Sequence, residues 1–275
     1  TAYEFRLSLV GSEMCIRDRF FTVRHERFAS YQRAWEAKGL VRVWSNGFNG
    51  VQDGHPRYIG QTGMNAIPAH LAQGIDVRTG VQVSCISEQG ARWDLDVDFD
   101  EILLADALIV TVPAPQAVQL LEKGGVMVPD ELRRIEYERC LALMANLETP
   151  ADLPEPGAKQ IDGGEPVSWI ADNRRKGISP ALNSVTIHAG PGFSWEHWDK
   201  DPDFVAGKLL NGYTASAWRL HRWKYSKPRV LHSERCLDAS TRAPMIFAGD
   251  GFGEARVEGA ALSGLAAADM LLGKL

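Results

Sequence analysis

The chain has 275 residues, 45% hydrophobic and 24% charged, a globular composition that excludes wholesale disorder and is longer than one average domain but shorter than two. Its 30 basic and 35 acidic residues leave a net charge of −5, which argues against a general nucleic-acid binder. The best apolar run, 102–113, is broken by Asp106 and falls short of the roughly 18 residues a membrane span needs. Cys15, Cys85, Cys140 and Cys236 form no C-x-x-C pair, which speaks against a zinc ribbon or a disulfide framework and for a reducing, cytoplasmic setting.

The start shows no initiator Met, no signal peptide and no periodicity. Residues Leu9–Arg19 resemble the in-frame translation of a transposase sequencing adapter; the alternative is an ordinary surface segment. On the adapter reading, residues 1–19 are foreign and native sequence begins near Phe20.

From there, Phe28, Tyr31, Ala34 and Trp35 fall at helical spacing, with Gly39 as the terminating residue. Leu40–Trp44 alternates as a strand. Gly60–Gly63 opens a helix at Ala66–Ala72, with Asn65 near its start. Val77–Ile86 and Ala91–Val97 read as strands joined at Glu88-Gln89-Gly90. Asp106–Pro113 reads as one nearly continuous apolar strand, suited to a parallel sheet covered on both faces, and Pro115–Lys123 as the helix after it.

Beyond Pro129 the texture changes. Five of the eight Trp (169, 195, 198, 218, 223) cluster there, with strands expected at Leu141–Leu147, Pro166–Ala171 and Ser184–His188 and a helix at Asp203–Leu210. The end of the chain is a strand at Met245–Ala248, a glycine-rich turn, and an Ala/Leu-rich helix from Gly259 to Leu272.

The turn carries the most chemistry. Gly249 lets backbone approach a ligand closely, and the Asp250 carboxylate accepts hydrogen bonds from hydroxyls. Gly259 and Ala260 open the helix without bulky side chains, so its free amides can meet a ligand and its dipole favours negative charge. A reduced flavin carries such charge near N1 and the C2 carbonyl. The alternative is a plain tight turn with a small-residue helix packed on a sheet.

Ala248-Gly249-Asp250 followed by Arg256–Gly264 resembles the C-terminal FAD signature of the FAD-dependent amine oxidase superfamily. Phe20–Arg24 with Arg27-Phe28, Gly63–Pro68, Val110–Gln116, Asp172-Asn173 with Lys176-Gly177, and His221–Tyr225 narrow the resemblance to its bacterial renalase-like branch, over essentially everything from Phe20 onward. The resemblance implies an α/β fold of p-hydroxybenzoate-hydroxylase-like two-domain architecture. Its FAD-binding, Rossmann-like domain would come from residues 60–118 and 237–275, and its mixed α+β substrate domain from 20–59 and 119–236. It also implies a G-x-G-x-x-G βαβ unit for the FAD pyrophosphate, which this sequence lacks. If the adapter reading holds, that unit is missing ahead of Phe20; by the resemblance it is about 50 residues, against ~30 or more for one βαβ unit.

The resemblance implies that Asp250 faces the ribityl–pyrophosphate part of FAD, with Gly249 beside it. Backbone at Val257, Gly259 and Ala260 would lie near the pyrimidine edge, Val83 near adenine, and Met64 and Asn65 near the flavin. Trp223 and Tyr225, with Asn173, are candidates for the substrate wall; core packing and structural hydrogen bonding are the alternatives. Catalysis would centre on the flavin: a hydride taken from an NAD(P)H-type dihydropyridine or an amine, and electrons passed to O2. The alternatives are a flavin-free or inactive scaffold lacking the phosphate loop, and an FAD-dependent monooxygenase.

Other chemistries find little support. His188 and His197 lack zinc spacing, and no metal site is expected. Gly192–Glu196 lacks the last glycine of a nucleophile elbow. Cys140, after a helix-like charged stretch at Arg133–Arg139, has no evident His partner and reads as a buried thiol. Asn173–Gly177 is a short basic cluster, either a solvated loop or a receiver for a dinucleotide phosphate.

Overall fold

The computed structural model describes residues 19–97 and 101–274, so the adapter-like segment lies outside the described residues except for Arg19. The chain forms two compact units, one comprising the chain up to Gln73 with Glu138–Ser226, the other Gly74–Tyr137 with Lys227–Leu275. By this division residues 60–73 fall in the first unit, and 119–137 and 227–236 in the second.

The first unit opens with α1 (Glu26–Ala37), where His25 Nδ1 accepts from the Arg27 amide at the N-terminus and Phe28 and Trp35 are buried. Gly39, at φ 66°, ends it as the sequence predicts. An antiparallel pair follows, β1 (Val41–Ser45) and β2 (Arg57–Gly60), with a register shift between Val43 and Ser45. The short α2 (Ala66–Leu71) starts after Asn65.

The body of this unit is a five-stranded sheet. In the second unit β3 (Val83–Gln89), β4 (Arg92–Val97), β5 (Glu101–Ala105), β6 (Leu108–Val110), α3 (Ala114–Lys123) and α4 (Asp130–Arg133) come first in the chain. The sheet then follows with β7 (Glu136–Leu147), β8 (Ala158–Gln160), β9 (Val167–Asp172), β10 (Ser184–Ala189) and β11 (Ala215–Val230), in the order β11-β7-β10-β9-β8. Between β10 and β11 lie α5 (Pro191–Glu196) and α6 (Pro202–Leu210).

Strand alternation gives the sheet two different faces. Leu141, Leu143, Leu147, Val185 and Ile187 pack with Val205 and Leu209 of α6, and each fully buried Leu or Ile contributes roughly 1.5–3 kcal/mol. The intervening residues, Ala142, Met144, Thr186, His188 and Trp169, are also buried, with Thr186 opposite Met144 and His188 opposite Ala142. Covering on both faces explains why these strands read as continuous apolar runs.

In the second unit, β12 (Leu237–Asp238) and β13 (Met245–Phe247) form a sheet with β6 in the order β12-β13-β6, and β13 runs parallel to β6. A β3-β4-β5 antiparallel sheet accompanies it, turning at Gly90 with φ 66°. Trp93 is fully buried, and its indole N–H donates to the Pro244 carbonyl at 2.9 Å. The final helix, α7 (Val257–Leu272), accompanies a cluster of Ile246, Ala248 and Ala267.

Four expectations are corrected. The strand placed at Val77–Ile86 begins only at Val83; Val77 and Val81 are exposed, and among the described residues no strand partner holds them. The run Asp106–Pro113 shrinks to Leu108–Val110, preceded by a separate β5; Asp106, ion-paired to Arg92, lies in the break. The helix-like stretch Arg133–Arg139 stops at Arg133 and is strand from Glu136. The 16-residue β11 was not expected, since its apolar residues alternate with five cations between Arg219 and Arg229; Pro228 suits its place at the sheet edge.

Candidate cofactor site

The site grows from the end of β13. The Ala248 amide donates to the Val110 carbonyl at 3.1 Å, extending the parallel pairing by one bond. Gly249 then takes φ 133°, a conformation that strains any side chain. A Cβ there would meet only the Thr111 carbonyl, at 3.5 Å, so backbone conformation rather than crowding demands the glycine. Its amide donates to Ser263 Oγ at 2.9 Å, tying the turn to α7.

Asp250 follows, half-buried, and its Oδ1 accepts from the Tyr137 hydroxyl at 3.1 Å. Gly251 lies beneath that phenol: a Cβ would stand 2.9 Å from Tyr137 Oη and 3.0 Å from Ile135 Cγ2. The turn is closed from the other side by His232, whose amide donates to the Gly251 carbonyl at 2.9 Å and whose carbonyl accepts from Gly253 at 2.9 Å.

The helix begins two residues earlier than the sequence suggests, at Val257. Arg256 is extended and its side chain does not cap the end, so the amides of Val257, Glu258 and Gly259 form the first turn without an intrahelical acceptor. Ala260 is already engaged, its amide donating to the Arg256 carbonyl at 2.9 Å. Gly259 has an internal reason to be glycine as well: a Cβ would lie 2.1 Å from the Glu254 carbonyl oxygen. A ledge of small residues, an uncapped helix end and an oriented carboxylate can receive hydroxyls and partial negative charge.

Gly249, Asp250 and the 257–260 turn thus come together within the second unit, which also contains Val83, paired with Val97 at the start of β3. Met64, Asn65, Asn173, Trp223 and Tyr225 lie in the first unit. Met64 is buried after Gly63, at φ 129°, and Asn65 precedes α2 without capping it through its side chain. Trp223 packs on Ala142 and Met144, with the His221 ring 4.2 Å away, and among the described residues its buried indole N–H has no hydrogen-bond partner. Lys224 Nζ stands 5.4 Å from the centre of the Tyr225 ring. Asn173 donates to Thr186 Oγ1 at 3.0 Å, inside the first unit.

The basic cluster is only in part a solvated loop: Arg174 and Arg175 are exposed, whereas Asn173 and Lys176 are buried. Asp172 Oδ1 accepts from the Arg174 and Arg175 amides at 2.8 and 3.1 Å, an Asx turn. Arg175 reaches the Leu153 carbonyl, and buried Lys176 donates to the Arg19 carbonyl at 2.6 Å with its ammonium 5.0 Å from the Trp44 ring. These partners engage Arg175 and Lys176, two of the three cations of the cluster.

His197 is stacked between Phe193 and Phe204, with centroids 4.1 and 5.7 Å away, while His188 is buried on β10. Among the described residues no group of three His, Cys, Asp or Glu could hold a metal, and no helix is long and apolar enough to cross a membrane. Cys140 is buried, and burial pushes its thiol up to about 11, as for a structural cysteine.

The family described as flavin containing amine oxidoreductase matches residues 16–272. The chain belongs to the flavin containing amine oxidoreductase family. FAD, the cofactor expected from the sequence, is the cofactor of this family. Solved structures of similar fold include a protein described as a putative protoporphyrinogen oxidase from Exiguobacterium sp. 255-15 (TM-score 0.59, 14% identity, 81% of this chain and 53% of that one). A variant of putrescine oxidase redesigned in its cofactor binding is similar at TM-score 0.55 and 16% identity, over 80% of this chain and 54% of that one. An oxidoreductase from Methanosarcina mazei matches at TM-score 0.55 and 14% identity, over 97% of this chain and 73% of that one. At these identities the likeness is one of fold: α/β with mixed sheets. The chain spans about half the length of the first two structures.

Sequence reasoning missed Tyr137 and left Ser263 without a role. Ser263 lay inside the quoted signature; Tyr137 is 113 positions from its partner and carried no local signal.

Proposed function

We propose that the chain is the greater part of an FAD-dependent oxidoreductase of the renalase-like branch, oxidising an NAD(P)H-type dihydropyridine or an amine with O2 as acceptor. The observation that carries this reading is the Asp250 carboxylate, held by Tyr137 at the end of β13 in a turn anchored to α7. When bound, FAD supplies the hydride-accepting chemistry.

The chain's own residues bind and orient. Asp250 accepts hydrogen bonds from hydroxyls of the cofactor's ribityl chain, and the left-handed Gly249 leaves room for that approach. The open amides at Val257 and Gly259 favour the electron-rich pyrimidine edge. Val83 is assigned to the adenine, and Met64 and Asn65 to the flavin ring. Trp223 and Tyr225 form the substrate wall. Asn173, whose amide donates to Thr186, is the third residue assigned to that wall.

We further infer that a phosphate-binding βαβ unit completes the cofactor domain along β6. Among the described residues β6 pairs in its sheet with β13 alone, and Ile109 and Val112 are exposed. The test is expression of the gene with its upstream sequence. The expected product is yellow and releases FAD on denaturation; a colourless product that takes up no added FAD contradicts the reading.

A further inference from the structure

Asp250 Oδ1 and the Tyr137 hydroxyl lie 3.1 Å apart, and an ionised carboxylate only accepts, so the phenol is the donor. The approach is built into the fold from three sides. Tyr137 is the second residue of β7, two positions after buried Ile135, and its ring packs on the core cluster that includes Ile135, Phe247 and Phe252. Gly251 supplies the space, since even a methyl there would touch both Tyr137 Oη and Ile135 Cγ2. Ser263 fixes the preceding residue by accepting the Gly249 amide. The carboxylate is thereby oriented by neighbours from β7 and α7 before a ligand arrives.

We propose that Tyr137 is a positioning residue for the cofactor: its hydroxyl holds the Asp250 carboxylate in the orientation that receives a hydroxyl of the FAD ribityl chain. This rests on the reading above that Asp250 meets the cofactor. An Asp free to rotate must be immobilised on binding, and that loss weakens affinity. Gly251 is then glycine for the sake of the phenol.

The test uses the flavin-stripped full gene product, titrated with FAD and followed by flavin fluorescence, with the melting temperature of the stripped protein measured alongside. Tyr137→Phe keeps the ring and removes only the hydroxyl. It is expected to weaken FAD binding roughly 3- to 30-fold while the stripped protein melts as the parent does. Asp250→Ala weakens binding at least as much, and Tyr137→Phe adds nothing on the Asp250→Ala background, because the hydroxyl acts only through the carboxylate. Undiminished binding by Tyr137→Phe, or losses that add in the double variant, overturns the proposal and leaves the cofactor reading intact if Asp250→Ala alone binds weakly. Undiminished binding by Asp250→Ala overturns both.

Discussion

The Gly249 amide donates to the Ser263 hydroxyl, 2.9 Å away and completely buried. One bond therefore joins the turn after β13 to the second turn of α7, fixing the carboxylate-bearing residue relative to the open helix end.

Removing that hydroxyl leaves a peptide N–H without its acceptor, a loss of about 1–3 kcal/mol. Ser263→Ala is expected to lower the denaturation midpoint accordingly and to weaken FAD binding, because the turn loses its anchor. Chemical denaturation of the two proteins side by side measures it; equal midpoints would show that the turn holds without α7.

Two glycines of α7 separate packing from propensity. A methyl at Gly259 would stand 2.1 Å from the Glu254 carbonyl oxygen, whereas one at Gly264 meets nothing within 4 Å. Gly259→Ala is expected to destabilise by roughly 1–3 kcal/mol, and Gly264→Ala to be neutral or stabilising by up to about 1 kcal/mol, the helix-propensity gain. Thermal melts of both variants decide this, and a benign Gly259→Ala would mean that the first turn of α7 is looser than described.

Cys140 tests the burial of the sheet's second face. Its thiol is held up to about 11, chiefly by burial, against an ordinary value near 8.5. The unfolded chain therefore ionises first as pH rises. The stabilisation from this thiol is complete below the unfolded value and is lost as pH climbs toward about 11. A thiol reagent at about pH 8 should modify Cys140 only after denaturant is added. Rapid modification of the native protein, located by peptide mapping, would contradict the burial.

The elements legible in the sequence are those whose cause is local or repeated along one strand. The 245–272 strand, turn and helix announced itself because Gly249 and Gly259 answer to backbone constraints within a few residues. Leu141–Leu147 and Ser184–His188 were readable because both faces of the sheet are covered. What stayed hidden depends on distant partners. Lys176 looked like a solvated cation, yet it is buried against Trp44 and the Arg19 carbonyl, more than 100 positions away. Tyr137 looked like part of a charged helical stretch, and its role comes from its contact with Asp250, 113 positions away. β11 escaped notice because its cations interrupt the apolar pattern that its edge position makes tolerable.

The central claim is that Asp250, at the end of β13, holds FAD. Titrating FAD into the flavin-stripped full gene product and into its Asp250→Ala variant tests it most directly. The account predicts saturable binding by the parent and affinity roughly 10- to 100-fold weaker in the variant, as expected for loss of a hydrogen bond to a charged group. Equal affinities for parent and variant, or no binding by the parent, would contradict it.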